Sequence, residues 1–154
     1  SIQIGSKTVM GRDNTINAYL DITIGDECVI SDSIYMCDFD HRFSDLCAPI
    51  RLQGITKSPV RIGANVWLGT KVSVLKGSEV GAGSVIGANS VVRGVVAPMS
   101  VAAGIPARVV RSRLDVGEKQ LRVQRHAESV RVRTRDALNE MRGNGASGST
   151  PDFS

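Results

Sequence analysis

The sequence predicts an all-β chain: a parallel β-solenoid with one extruded loop and a C-terminal α-helix. Three observations carry that expectation. From Ile62 the chain splits into sixes, IGANVW, LGTKVS, VLKGSE, VGAGSV and IGANSV, and Ile62, Leu68, Val74, Val80, Ile86 and Val92 are all aliphatic. A period of six matches neither a helix face nor strand alternation, and self-similarity at a fixed period marks a repeat architecture. The fourth position of each unit holds Asn65, Lys71, Gly77, Gly83 or Asn89, and Gly and Asn enter the left-handed backbone region at little cost. Aromatic residues make up only 4% of the chain against 16 glycines, so many corners and few large rings build it.

Each unit reads as a very short strand and a tight corner. The aliphatic residue points inward, and the fifth position (Val66, Val72, Ser78, Ser84, Ser90) is small enough to turn without crowding the interior. Three units close one triangular coil, and coils stack at the usual strand spacing of about 4.8 Å. Each coil buries its aliphatic residues against the next. The bland alternative is a generic solenoid with no catalytic role.

Taken in order, Ile4, Met10 and Ile16 stand six apart, and Ile24, Ile30 and Met36 resume the period after a slip of two. The phrases Ile2-Gln3-Ile4-Gly5, Ile22-Thr23-Ile24-Gly25 and Val60-Arg61-Ile62-Gly63 each start a new set of coils, giving four to five coils over residues 1–111. Residues 37–61 interrupt the period, are polar, and contain Pro49 and Pro59. A long loop inside a compact repeat domain is usually functional or disordered, and this one reads as extruded from a corner. Pro98 and Pro106 end the regular pairing. Residues 112–142 change to helix, with Val116, Val123, Val130 and Ala137 recurring every seven residues, and Gln120, Ala127, Thr134 and Met141 between them. Residues 143–154 are Gly/Ser-rich and are expected to form a flexible tail.

Composition excludes several classes. No apolar run is long enough for a transmembrane segment. Residues 1–110 carry ten Lys/Arg against nine Asp/Glu, so the net charge of +4 lies mainly in the tail and is too mixed to argue for nucleic acid. Cys28, Cys37 and Cys47 form no disulfide framework and fit a reducing, cytoplasmic setting. Cys37, His41 and Cys47 match no zinc spacing, so no metal is expected.

The repeat from Ile62, the NVWLG phrase (Asn65–Gly69) and the closing Ala103–Arg108 phrase resemble the hexapeptide-repeat acyltransferases, particularly the sugar O-acetyltransferases, over about residues 4–111. The resemblance implies a left-handed parallel β-helix, against the usual right-handed crossover rule. It also implies a homotrimer with sites between subunits, acetyl-CoA as co-substrate, and a small-molecule acceptor.

His41 is the leading catalytic candidate. A neutral alcohol is a poor nucleophile, and histidine titrates near neutrality, so it can take the acceptor's proton and return it to the thiolate. The resemblance places Asp40-His41 at the family's loop histidine. A solvated loop histidine is the competing reading. Asp38, Asp40 and Asp21 are the candidate acids to orient the ring, although loop neighbours often point apart, and Asp40 is taken with His41 as the catalytic pair. For the acceptor the resemblance implies Asn17, Asp21 and Trp67; corner capping is the alternative for Asn17 and Asp21. It implies that Gly69 and the Thr70 N–H hold the thioester oxygen, that Ala88 meets the pantetheine arm, and that Arg93, Arg108 and Arg111 meet coenzyme A's phosphates. Gly94 stands where relatives often carry Lys.

Competing functions remain. A γ-type carbonic anhydrase needs three histidines, and only His41 and His126 are present. Transfer from acyl carrier protein is an alternative that the NVWLG and AGIPAR phrases weigh against. A non-catalytic assembly module is another. The acceptor's identity is not written in the sequence.

Overall fold

A computed structural model describes residues 1–143, so residues 144–154 of the expected flexible tail lie outside the described residues. Two compact units are present, Ser1–Leu114 and Asp115 onward. The first is the solenoid. Its first coil contains β1 (Ile2–Ile4), β2 (Val9–Met10) and β3 (Thr15–Asn17). The second contains β4 (Ile22–Ile24), β5 (Val29–Ile30) and β6 (Tyr35–Cys37). A hairpin follows, β7 (Phe39–His41) against β8 (Ile55–Lys57). The third coil holds β9 (Val60–Ile62), β10 (Trp67–Leu68) and β11 (Ser73–Val74), and the fourth β12 (Glu79–Val80), β13 (Val85–Ile86) and β14 (Val91–Val92). A partial coil, β15 (Val95–Val96) and β16 (Ser100–Gly104), ends in β17 (Ala107–Ser112), which folds back antiparallel.

Three parallel sheets form the faces of the prism. Face one is β1-β4-β9-β12-β15, face two is β2-β5-β10-β13-β16 with β17 on its edge, and face three is β3-β6-β11-β14. The first position of each unit stacks into an interior ladder: Ile24, Ile62, Val80 and Val96 on face one; Ile30, Leu68 and Ile86 on face two; Met36, Val74 and Val92 on face three. All of these are buried, and burying such a side chain stabilises by about 1.5–3 kcal/mol.

The fifth position turns inward too. Val66 and Val72 are buried, as are Ser78, Ser84 and Ser90. Each of these hydroxyls has a backbone partner: Ser78 donates to the Val92 carbonyl at 3.0 Å, Ser84 to Ala97 at 2.9 Å, and Ser90 accepts from the Gly104 N–H at 3.0 Å. The serines keep the later coils narrow without orphaning a polar atom. The fourth position carries the left-handed corner, with φ of 56° at Asn65, 60° at Lys71 and 58° at Asn89.

The interruption is an ordered hairpin, with Asp40 opposite Thr56 and His41 opposite Ile55. Its base closes where the Ser58 N–H donates to the Asp38 carbonyl at 2.9 Å. Its outer turn is held by Gln53, whose amide donates to the Asp45 and Ala48 carbonyls at 2.7 and 2.8 Å.

The second unit consists of α1 (Arg113–Gly143), whose first residues belong to the solenoid unit. Within it Leu121, Val123, Val130 and Val132 are exposed. No helix among the described residues is long and apolar enough to cross a membrane.

Candidate active site

Face three positions the site. Its outward side chains form two rows. Thr15, Tyr35, Ser73 and Val91 share one row by register. Asn17 pairs with Cys37, and continuing the register by one residue brings Leu75 and Arg93 into the second row. The hairpin leaves the solenoid directly after Cys37, so it hangs over that row.

A cleft of about 510 Å³ lies there, lined by Asp40, His41, Phe43, Leu75, Lys76 and Arg93. Arg42, Ser44 and Thr56 border its loop side. A second cleft of about 610 Å³ adjoins it, lined by Leu75, Val91, Arg93, Gly94, Ile105, Pro106 and Arg108. Leu75 and Arg93 belong to both, so the two clefts share a wall, with His41 in one and Arg108, from β17, in the other.

Asp40 does not reach His41 through a side-chain hydrogen bond among the described residues. Its carboxylate lies 3.6 Å from the Lys76 ammonium, which also donates to Thr56 Oγ1 at 2.8 Å. Asp21 pairs with Arg61 at 2.6 Å, and its other oxygen accepts from the Ser1 hydroxyl. The Ser1 contact holds the Asp21 carboxyl below its ordinary value; burial pulls the other way, and Arg61 adds to the lowering.

Asp38 is fully buried, and its carboxylate accepts from the backbone N–H groups of Tyr19, Leu20 and Asp21 at 2.8, 2.7 and 2.7 Å. Burial alone would push this carboxyl up, but these N–H groups and Asp38's own hold it below the usual value. Asp38 therefore fixes the corner beside Asn17 and leaves His41 to be oriented by other groups. Nearby, Phe39 meets the Tyr19 ring edge-on at 4.6 Å, and Lys57 sits 5.2 Å over the same ring. Next to Asn17, the Cys37 thiol and then burial push the Tyr35 phenol up, while Asn17 pulls it back.

Trp67, Gly69, Thr70, Ala88 and Arg111 sit elsewhere. Trp67 lies on face two between Val29 and Val85, half exposed, its indole N–H donating to Ser31 Oγ at 3.2 Å. Gly69 and Thr70 form the corner between faces two and three, with Ala88 in the corner of the next coil. The Thr70 carbonyl accepts from Asn89 at 3.0 Å, whereas its N–H has no acceptor among the described residues. Arg111 lies on β17, opposite Val101. Within one chain these groups are not gathered around His41.

Lys76, Leu75, Phe43 and Thr56 were not singled out by sequence reasoning. The signal for Lys76 was present: the six-residue count stacks Met36 on Val74, so Asp38 and Lys76 stand at the same corner one coil apart.

A triangular coil of six-residue units, with a histidine hairpin over a two-lobed cleft, defines a hexapeptide β-helix protein. Comparison with known proteins agrees. The family described as bacterial transferase hexapeptide (six repeats) matches residues 59–94. A probable acetyltransferase of Mycobacterium tuberculosis is 55% identical over 113 residues, 73% of this chain and 38% of that protein. The galactoside O-acetyltransferase of Escherichia coli is 36% identical over 112 residues, 72% of this chain and 54% of that protein. A hexapeptide-repeat acetyltransferase of Vibrio cholerae, solved with acetyl coenzyme A, superposes with a TM-score of 0.66 at 34% identity, covering 72% of this chain and 60% of that one. The chain spans less than two thirds of each of these three proteins. It carries the bacterial transferase hexapeptide repeat, and its solenoid matches the left-handed parallel β-helix of the hexapeptide-repeat acetyltransferases.

Proposed function

We propose that this protein is a cytoplasmic acetyltransferase. It moves the acetyl group of acetyl-CoA to a hydroxyl, or an amine, of a sugar-like small molecule in a ternary complex. The observation that carries this reading is the pair of adjoining clefts that share Leu75 and Arg93, with His41 lining one and Arg108 the other. His41 takes the acceptor's proton as its oxygen bonds to the acetyl carbon. The carbon–sulfur bond breaks, and the proton passes from His41 to the departing thiolate. Arg93 and Arg108 bind phosphate oxygens of the cofactor. The Thr70 N–H, lacking an acceptor, is available to the thioester oxygen.

Trp67 lies on face two and Thr70 at the corner between faces two and three, neither gathered around His41, so the proposed site is complete only when a second copy supplies them. Face two supports a homotrimer. Its outward row reads Val9, Val29, Trp67, Val85 and Val101 in register, and the first three are large exposed apolar side chains.

His41→Ala is expected to lower turnover by about 10²–10⁴-fold with coenzyme A binding retained. Arg108→Ala weakens coenzyme A binding with less effect on the saturated rate. Calorimetry and full rate curves on both variants separate the two roles, and near-normal turnover in His41→Ala rules out the mechanism.

A further inference from the structure

We propose that the acceptor carries an anionic group, a carboxylate or a phosphate, which Arg42 and Lys76 hold beside the hydroxyl that His41 deprotonates. The proposal rests on the acetyl-transfer reading above and names the class of acceptor. The side chains around His41 are unbalanced in charge: Arg42, Lys76 and Arg93 line the cleft, against Asp40 alone. Asp40 pairs with Lys76, so it offsets one cation, and neither Arg42 nor Arg93 has an ion-pair partner among the described residues.

Lys76 is not a freely solvated lysine. Only 28% of its side chain is exposed, and Thr56 and Asp40 hold its ammonium at the cleft wall. A cation fixed in a partly desolvated cleft, with a further guanidinium close by, attracts an anion more strongly than a scattered surface charge does.

The anion belongs to the acceptor for a positional reason. A whole pantetheine arm separates the thioester carbon from the cofactor's phosphates. Cations beside the base therefore face the acceptor, whereas Arg108, at the end of the adjoining cleft, faces the nucleotide. Arg93 borders both clefts and stays with the cofactor as proposed above, so Arg42 and Lys76 alone carry the acceptor's charge. Ser44 and Thr56 supply hydroxyls on the loop side, and the exposed Phe43 ring offers an apolar surface to one face of a sugar.

The test uses the full chain and three matched probes: a methyl hexopyranoside, the corresponding methyl hexuronide and the hexopyranoside 6-phosphate. Binding is read by calorimetry and transfer by free thiol release. One anionic glycoside is expected to bind about ten-fold tighter than the neutral one. That preference shrinks with added salt. Lys76→Gln combined with Arg42→Gln removes it, with a loss about ten-fold larger for the anionic glycoside than for the neutral one or for acetyl-CoA. Lys76→Arg keeps it. Equal binding of all three probes, or a loss that falls on acetyl-CoA instead, overturns the proposal. Charge-selective binding without transfer defeats the acetyl-transfer reading and leaves the anion site standing. Efficient transfer without charge selectivity does the reverse.

Discussion

Asp26, Asp32 and Asp38 stand six residues apart, and each carboxylate turns back to the corner of the preceding coil. Asp26 accepts from the Ser6 N–H at 2.6 Å and Asp32 from the Arg12 N–H at 2.7 Å. Asp38 does the same with three N–H groups from a fully buried position, and the His41 hairpin departs from it. Asp38→Ala removes the acceptor of three part-buried N–H groups, and a hydrogen bond to a charged group is worth about 1.5–3 kcal/mol, so a loss of about 3 kcal/mol is expected in denaturant unfolding. The charge also makes stability depend on pH. The folded pKa of Asp38 is depressed, so its contribution is complete above the unfolded aspartate value of about 3.9 and is lost as pH falls through the lower folded value. Asp38→Asn should flatten that acid limb. An unchanged acid limb in Asp38→Asn would mean that other carboxylates set it.

At the scale of the elements, the solenoid depends on close approach between coils. A Cβ on Gly81 would lie 2.4 Å from the Pro98 nitrogen, and one on Gly63 2.6 Å from the Ala82 nitrogen. Neither of these glycines has a positive φ, so their smallness, not their conformational freedom, is what stacking requires. Gly81→Ala forces backbone apart along a ladder and is expected to destabilise by about 1–3 kcal/mol, read from the urea midpoint. Gly117 is the contrasting case. It lies within α1, a Cβ there meets nothing, and Gly117→Ala should favour the helix by up to about 1 kcal/mol. Equal effects at the two positions would show that coil spacing yields more readily than the 2.4 Å approach implies.

For the whole molecule, the proposed site requires assembly. His41 hangs over face three, while Trp67 projects from face two. We expect sedimentation of the wild type to give three chain masses. Trp67→Glu places a charge in the middle of the apolar row, where burial without a partner is costly. It should yield folded monomers with little acetyl transfer. A fully active wild-type monomer would refute the shared site.

The sequence by itself determined the period, the corners, the inward ladder and the place where the hairpin leaves, because each depends on local spacing and on backbone preferences. It also placed His41 on an extruded segment and Arg93 and Arg108 near the end of the repeat. What each acid faces was decided by the tertiary structure. Asp40 lies two residues from Asp38, yet Asp40 meets Lys76 across the hairpin base while Asp38 turns into the preceding coil. Chain neighbours on a loop share no fixed direction. Asp38 and the N–H groups it meets are separated by seventeen to nineteen residues, and only stacking brings them together. The register that sets Asp38 and Lys76 at one corner is what places a cation beside His41.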